Sequence, residues 1–320
     1  ECVVNISEGQ DSAVLASLSD ACGYALLDRH TDVDHHRSVF TLAGNDSSAC
    51  INAARALTDA ASTRIDIRTH FGVHPRLGVI DVVPFVALHS TPSSEAAIAA
   101  IDYAKWVVEA HRVPVFLYGD ADLENRSLPD ARRTAFKTRA PDLGPDEPHP
   151  TLGAIAVGAR PLMVAINVDI DTDDLALARS IAGKVRERDG GLPGVRSLGF
   201  DLPHLGQVQV SMNIVDLEQT SIEEACVEVE RLIEESGATV ARIELVGLVP
   251  DAALAACSKE FLERSGLSEK ISLEGRVAGR EVAALAGLEL PLMPTEHQYF
   301  VTETIAEIAA MERRLPSVAD

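Results

Sequence analysis

The segment from Arg68 to Asp81 concentrates residue types that can carry out chemistry. Its sequence, RTHFGVHPRLGVID, holds two histidines and two arginines just ahead of an apolar run. Pro75 favours an extended backbone at His74, which would hold that imidazole at the mouth of a strand. Histidine titrates near neutral pH, so we expect His74 to transfer protons. Arg68 and Arg76 would suit a substrate carboxylate, because a guanidinium can donate to both oxygens. The alternative is a loop whose polar side chains only bond to one another.

A second polar run, DRHTDVDHHR, spans residues 28–37. Such a run is more often a solvated connection between two strands, and we predict one here. It could instead supply a second acid/base group, for which His30 and Asp32 are the candidates. Arg37 ends the run, and it joins Arg160 as a further candidate for binding a carboxylate.

Polar groups also occur at strand ends and along one strand. They belong to Asn5, Tyr118, Gly119, Gln209, Ser211 and Asn213. Ligands of open α/β sheets gather at the carboxyl ends of strands, so we expect the Asn5 amide to contact a ligand. A glycine beside a tyrosine hydroxyl would let a ligand approach the backbone. Alternate positions 209, 211 and 213 share one strand face, which suggests a polar ligand there.

The spacing of His70 and His74 is the one at which two histidines on a helix bind a metal. Gly72 and Pro75 argue against a helix, and no Glu stands in the HExxH position, so we predict no metal. A metal-dependent hydrolase that uses His70, His74 and the 28–36 run is the alternative. Sequence patterns of nucleotide-binding loops and serine hydrolases do not occur in the chain.

The composition is that of a soluble globular protein, with 46% hydrophobic and 24% charged residues. A formal net charge of −21 argues against nucleic-acid or anionic-membrane surfaces. The five cysteines are odd in number and widely spaced, which favours reduced thiols over disulfides. We find no apolar run of about 18 residues that could span a membrane. We therefore expect a cytoplasmic protein.

The pattern of apolar runs and turns predicts an α/β fold with two related subdomains. Residues 162–249 read as β-α-β-β-α-β, the ferredoxin-like order, and the first half is a longer variation on it. Residues 120–160 contain five prolines and we expect them to be irregular. The predicted division is 1–160, 161–255 and 256–320, the last being a helical extension and tail, and we expect one or two helices beyond Pro250.

Short motifs in a fixed order show what the chain resembles. They are ECVVNISEG (1–9), RSVFT (37–41), HPRLG (74–78), VPVFLYG (113–119), SLPDAR (127–132), PDLGP (141–145), GAIAVGAR (153–160), QVSMN (209–213) and LVGLVP (245–250). Through them the chain resembles the glutamate formimidoyltransferases, folate-dependent enzymes of histidine breakdown, over about residues 1–255.

The resemblance implies two α/β subdomains with mixed sheets flanked by helices, a folate-binding cleft or tunnel between them, and a homodimer. It implies transfer of a formimidoyl group from N-formimidoyl-L-glutamate to N5 of tetrahydrofolate, a co-substrate, without a metal. The family's general-base histidine falls on His74 and its strand-ending tyrosine on Tyr118. The mammalian-type enzymes of the family have a catalytic aspartate where this chain has His30, so His30 itself, Asp32 or Asp28 is open for that role. We expect the stand-alone form, without a cyclodeaminase domain. The alternatives are a folate-binding homologue without turnover and a transferase with another formimidoyl donor.

Overall fold

A computed structural model describes residues 1–44, 46–88, 91–267 and 271–285. Its strands are β1 (Cys2–Ile6), β2 (Leu26–Asp32), β3 (Arg37–Leu42), β4 (Ile80–Phe85), β5 (Val115–Gly119), β6 (Ile155–Ala159), β7 (Val164–Ile170), β8 (Val195–Leu202), β9 (Gln207–Ile214) and β10 (Val240–Val246). Its helices are α1 (Ser12–Cys22), α2 (Ser47–Ser62), α3 (Ser93–His111), α4 (Leu128–Thr134), α5 (Leu175–Val185), α6 (Ile222–Glu235), α7 (Asp251–Ala255), α8 (Lys259–Ser265) and α9 (Leu273–Leu285).

The first sheet has six strands in the order β2-β3-β1-β4-β6-β5. Strands β1 to β4 with α1 and α2 form a β-α-β-β-α-β unit, and β5 and β6 extend it in parallel with β4. Strand β4 is central and its residues are all buried, as its nearly continuous apolar sequence predicts. The prediction of a longer ferredoxin-like variation is confirmed for the first half.

The prediction that residues 120–160 are irregular holds for most of the segment but is wrong for two parts of it. They contain α4 and the buried strand β6, whose sequence IAVGA has few of the β-branched residues that mark a strand. Small residues are required there, because a Cβ on Gly158 would lie 2.6 Å from ring carbons of Tyr118. Gly119 is constrained in the same way, since its Cβ would lie 2.1 Å from the carbonyl oxygen of Ala159.

The prediction of a solvated connection at residues 28–37 is also wrong. Strand β2 continues to Asp32 and β3 begins at Arg37, so residues 33–36 alone form the turn. His35 in that turn is buried, with 7% of its surface exposed. The polar side chains of this run are therefore buried or partly buried instead of solvated.

The second sheet is antiparallel throughout, in the order β10-β7-β9-β8. It is the ferredoxin-like unit predicted from the sequence, with α5 and α6 packed on one face. The two sheets comprise strands from residues 2–159 and 164–246. We retain 1–160, 161–255 and 256–320 as the proposed division of the chain.

Each sheet has one face covered by helices and one face that is largely free of them. Alternate residues of the central strands, such as β1 and β9, enter the hydrophobic cores beneath the helices. Side chains of the two subdomains meet on the other faces, where His30 of β2 lies near Glu244 of β10 and His35 contacts Gln209 of β9. Leu198 on β8 is 45% exposed, so the faces do not close along their whole length. We call the space between these two faces the cleft.

The segment after β10 contains α7, α8 and α9 in the described residues, more than the one or two helices predicted. Leu273 at the start of α9 packs with Leu27 and Ala43 of the first subdomain. The predicted tail at 286–320 lies outside the described residues. The five cysteines carry free thiols. None of the helices in the described ranges is long and apolar enough to cross a membrane.

Candidate active site

A buried carboxylate organises the first subdomain's side of the cleft. Asp81, at the start of β4, is fully buried, and its Oδ1 accepts from the Leu77 amide at 2.6 Å. Its Oδ2 accepts from Arg37 Nη1 at 2.5 Å and also from Arg132 Nη2. Burial opposes ionisation, but the two guanidiniums outweigh it and hold the pKa of Asp81 below its usual range. Arg37 also donates to Asn5 Oδ1, at 3.2 and 3.0 Å from Nε and Nη2.

His74 lies beside this pair of arginines in a defined tautomer. Its Nδ1 is 2.7 Å from the carbonyl oxygen of Pro75. Because a carbonyl can only accept, Nδ1 carries the proton and Nε2 carries the lone pair. The Pro75 carbonyl also accepts from Arg132 Nη1 at 2.8 Å, which fixes the acceptor in place. The ring centroid lies 5.4 Å from that of Phe200 in the second subdomain.

The surroundings of His74 keep it neutral. Burial is the largest cause, and the charges of Arg37 and Arg132 add to it, so the pKa of His74 lies well below its ordinary value. A neutral imidazole with a lone pair directed away from its own loop is the form that a general base requires. This electrostatic arrangement comes from residues on three separated segments.

Arg76 stabilises the loop that carries His74. It donates to the His74 carbonyl oxygen, at 2.7 Å from Nη2, and its Nη1 donates to His70 Nδ1. Burial and the Arg76 charge lower the pKa of His70 to about 4. The His70 ring stacks on that of His36, with centroids 3.8 Å apart. The Arg76 guanidinium is thus committed to protein groups in this structure.

The second subdomain reaches the site through a chain of hydrogen bonds. Gln209 on β9 is fully buried, and its Oε1 lies 2.9 Å from His35 Nε2. Its Nε2 donates to Asp169 Oδ1 at 2.8 Å. The other oxygen, Asp169 Oδ2, accepts from Arg242 Nε at 2.9 Å. We call these four residues the His35 chain.

The predicted second acid/base candidates lie at the same boundary. His30 Nε2 is buried without a hydrogen bond among the described residues, and it lies 3.8 Å from Glu244 Oε1 of β10. Asp32 accepts from the backbone amide of His35 at 2.6 Å, so its carboxylate holds the turn. Within the described residues, no group of three His, Cys, Asp or Glu is arranged to bind a metal ion.

Comparison with known proteins gives a single family. Residues 1–160 match the N-terminal subdomain of the formiminotransferase domain, and residues 165–278 match the formiminotransferase domain. The chain belongs to the formiminotransferase family. It is 36% identical over 278 residues to the glutamate formimidoyltransferase of Streptococcus pyogenes serotype M1, covering 82% of this chain and 93% of that protein. It is 34% identical over 306 residues to the glutamate formimidoyltransferase of Thermoplasma acidophilum, covering 90% and 99%.

The family also includes longer proteins. The chain is 32% identical over 287 residues to the formimidoyltransferase-cyclodeaminase of Rattus norvegicus, and the match covers 82% of this chain but 53% of the rat protein. The comparison thus establishes that this formiminotransferase-family chain is a transferase, as its sequence motifs predicted.

The other predicted site residues differ in burial and in their hydrogen-bond partners. Tyr118 is buried, and its hydroxyl has no hydrogen-bond partner among the described residues. Arg160, at the end of β6, donates from Nη1 to the Pro161 carbonyl oxygen at 2.9 Å. Arg68 is exposed and bonds to Asp66. On β9, Ser211 and Asn213 lie on the cleft face, beyond Gln209.

Several residues that sequence reasoning missed complete the site. They are His35, Asp81, Arg132, Asp169, Phe200 and Arg196. SLPDAR at 127–132 contains one of them, but nothing in that motif shows that its arginine meets a carboxylate 51 positions earlier. Arg196 lies on the cleft face of β8, directly opposite Asn213 on β9. It makes no hydrogen bond or ion pair within the described part of the chain. It could have been found only by predicting which alternate residues of β8 face the cleft.

Proposed function

We propose that this protein transfers a formimidoyl group from N-formimidoyl-L-glutamate to N5 of tetrahydrofolate, with His74 as the general base. The observation that carries the proposal is the state of His74: Nδ1 donates to the Pro75 carbonyl, and Nε2 is left as the basic nitrogen in a chain of this family. The names of its relatives support the donor, because two of them are glutamate formimidoyltransferases. The resemblance implies tetrahydrofolate as co-substrate.

The chemistry requires one proton to move between two nitrogens. N5 attacks the amidine carbon and must lose its proton, and the departing glutamate nitrogen must gain one. His74 Nε2 takes the first proton, and such catalysis typically contributes about 10²–10⁴-fold in rate. Holding two substrates in a near-attack arrangement supplies about 7–11 kcal/mol of the barrier reduction, and a cleft between two subdomains suits that task. His30, at the same cleft face, is the proposed second acid/base group, with Asp32 as the alternative.

The substrates carry carboxylates, and the cleft contains guanidiniums for them. Arg196 and Arg160 are the strongest candidates, because neither is paired with a carboxylate among the described residues. Arg37 and Arg76 are committed to protein groups, and Arg68 to Asp66, so binding by them would require exchange of partners. The Asn5 amide, the Tyr118 hydroxyl, the backbone at Gly119, and the Ser211 and Asn213 side chains are proposed polar contacts. We propose further that the protein is a cytoplasmic homodimer that binds small molecules.

The direct test is transfer of the formimidoyl group from formimidoyl-glutamate to tetrahydrofolate by the full chain. We expect turnover, and we expect His74→Ala to lower kcat by about 10²–10⁴-fold. His204→Ala is the matched control, because His204 is a histidine at the subdomain boundary that lies outside the proposed machinery.

Three results would contradict the proposal. Binding of tetrahydrofolate without turnover would favour a folate-binding homologue, and turnover with formimidoylglycine in place of the glutamate donor would identify a different substrate. Stoichiometric metal in the purified protein, together with loss of activity on treatment with a chelator, would favour a metal-dependent hydrolase instead.

A further inference from the structure

The His35 chain places polar side chains in a buried position, where an apolar side chain would avoid the free-energy cost of desolvating polar groups. Gln209 and Asp169 are both fully buried on the helix-free face of the second sheet. A buried polar side chain is costly unless each donor and acceptor is bonded. Here both polar atoms of the Gln209 amide have a partner, Nε2 with Asp169 in the second subdomain and Oε1 with His35 in the first. The chain therefore connects the two subdomains at a single imidazole.

The order of donors in the chain fixes the tautomer of His35. Asp169 accepts from Arg242 through Nε at 2.9 Å and through Nη2 at 2.8 Å, and its other oxygen faces Gln209. A carboxylate accepts, so the Gln209 amide must point its NH₂ group at Asp169 and its oxygen at His35. The proton of His35 is then on Nε2, because that nitrogen must donate to the amide oxygen.

His35 in turn bounds the space that His74 can occupy. The two ring centroids lie 5.6 Å apart, and both rings pack against Phe200, at 4.8 Å for His35 and 5.4 Å for His74. Asp32 holds the His35 backbone at 2.6 Å, so the ring is fixed at both its main chain and its Nε2. The His74 ring is therefore held by its Nδ1 hydrogen bond to Pro75 and by contact with the rings of His35 and Phe200.

We infer that Gln209 and Asp169 are positioning residues, which hold His35 as the Nε2–H tautomer and through it align the ring of His74. The second subdomain thereby sets the geometry of a base that belongs to the first. The sequence analysis assigned Gln209 to substrate binding, whereas this inference gives its amide a role within the protein. The kinetic consequence rests on the proposed function, but the tautomer is a property of the protein alone.

The first test is the tautomer itself, measured by long-range ¹H–¹⁵N correlation spectra of the full chain with labelled histidine, His35 being assigned from the His35→Asn variant. We expect a protonated Nε2 and an unprotonated Nδ1 in the absence of substrate. In Gln209→Met, which has similar length and no hydrogen bonds, we expect a mixture of tautomers. A protonated Nδ1 in the unmodified protein would overturn the inference, whatever reaction the protein catalyses.

The second test is kinetic and uses a matched variant. We expect Gln209→Met to lower kcat on the order of 100-fold, as small misplacements of a catalytic group do, with both KM values within about twofold. Thr58→Val is the control, because it removes a buried hydrogen bond of 2.6 Å to the Tyr103 hydroxyl, which joins α2 and α3 of the first subdomain. It should lose stability without losing kcat. A similar kcat loss in both variants, or a rise in KM alone for Gln209→Met, would contradict a positioning role.

Discussion

The two subdomains contribute to the same cleft by different means. In the first, the reactive groups lie on loops and strand ends, and a buried carboxylate with two arginines holds them. In the second, the polar groups occupy alternate positions of a regular antiparallel sheet. The geometry of the first side depends on a charge, and that of the second on strand register. The difference is clearest in Asp81 and Asp169, which are both fully buried.

The largest expected effect is a loss of stability on removing the charge of Asp81. Its partners Arg37 and Arg132 have 10% and 17% of their side chains exposed, so neither can recover full hydration. We expect Asp81→Asn to cost about 3–5 kcal/mol, as breaking a buried ion pair does. Urea unfolding of the full chain measures it.

Asp169→Asn is the matched change in the second subdomain. Its partner Arg242 has 48% of its side chain exposed and can be solvated when the carboxylate is lost. We expect a smaller cost, about 1 kcal/mol, because Arg242 can regain water as the cation of a surface ion pair does. Equal losses in the two variants would show that the two sides do not differ in this way.

The pH dependence of Asp81 gives a further check on the same pair of variants. A carboxyl whose pKa is lowered by folding stabilises the protein above its unfolded pKa of about 4, and this stability is lost as the pH falls. The difference in stability between the unmodified protein and Asp81→Asn should therefore shrink below about pH 4. A difference that grew on acidification would contradict the assigned ionisation.

The next effect concerns the acid limb of the activity profile. Burial, Arg37 and Arg132 lower the pKa of His74, so the acid limb of kcat/KM should lie below 6.5. Arg132→Gln removes one positive charge and should move this limb to higher pH. Arg133→Gln on the same helix, where the side chain is 60% exposed and paired with Asp130, should leave it in place. A limb that moves equally in both variants would point to the overall charge instead.

A smaller effect is expected for His70, through stability. Its pKa is lowered from 6.5 to about 4 by burial and Arg76, so the folded state favours the neutral ring. That preference stabilises the protein above the unfolded pKa and is lost as the pH falls from 6.5 towards 4. We expect His70→Gln to flatten the stability profile in this window, measured by thermal unfolding at a series of pH values. An unchanged slope between the two proteins would argue against a neutral, buried His70.

The sequence predicted the second subdomain better than the first for a physical reason. In an antiparallel sheet with one face covered, apolar and polar residues alternate, and this places Gln209, Ser211 and Asn213 on the cleft face directly. Strand β6 is parallel and has a strand on each side. A small residue is needed at Gly158 because the Tyr118 ring packs against it, and no local sequence pattern indicates this contact. Its absence from the prediction follows from that long-range requirement.

The site shows the same division between local and long-range information. His74 was predicted because its neighbours Pro75 and the flanking glycines are in the same short segment. His35 was missed because a histidine in an acidic turn resembles a solvated one until Gln209, 174 positions away, is brought against it. The role of Asp81 was missed likewise, since a single aspartate before an apolar strand gives no sign of its two arginines.

The smallest expected effect concerns the contact at the rim of the subdomain boundary. His204 lies in the turn before β9, and its Nδ1 is 2.6 Å from Asp34 Oδ1, but 62% of its side chain is exposed. Its backbone amide donates to the same oxygen at 3.1 Å, a bond that His204→Ala retains. We therefore expect a stability change of at most about 1 kcal/mol and a kcat within about twofold of the unmodified value. If His204→Ala instead lowered kcat as strongly as Gln209→Met, the exposed rim rather than the buried His35 chain would align the subdomains, because only the rim contact is lost in that variant.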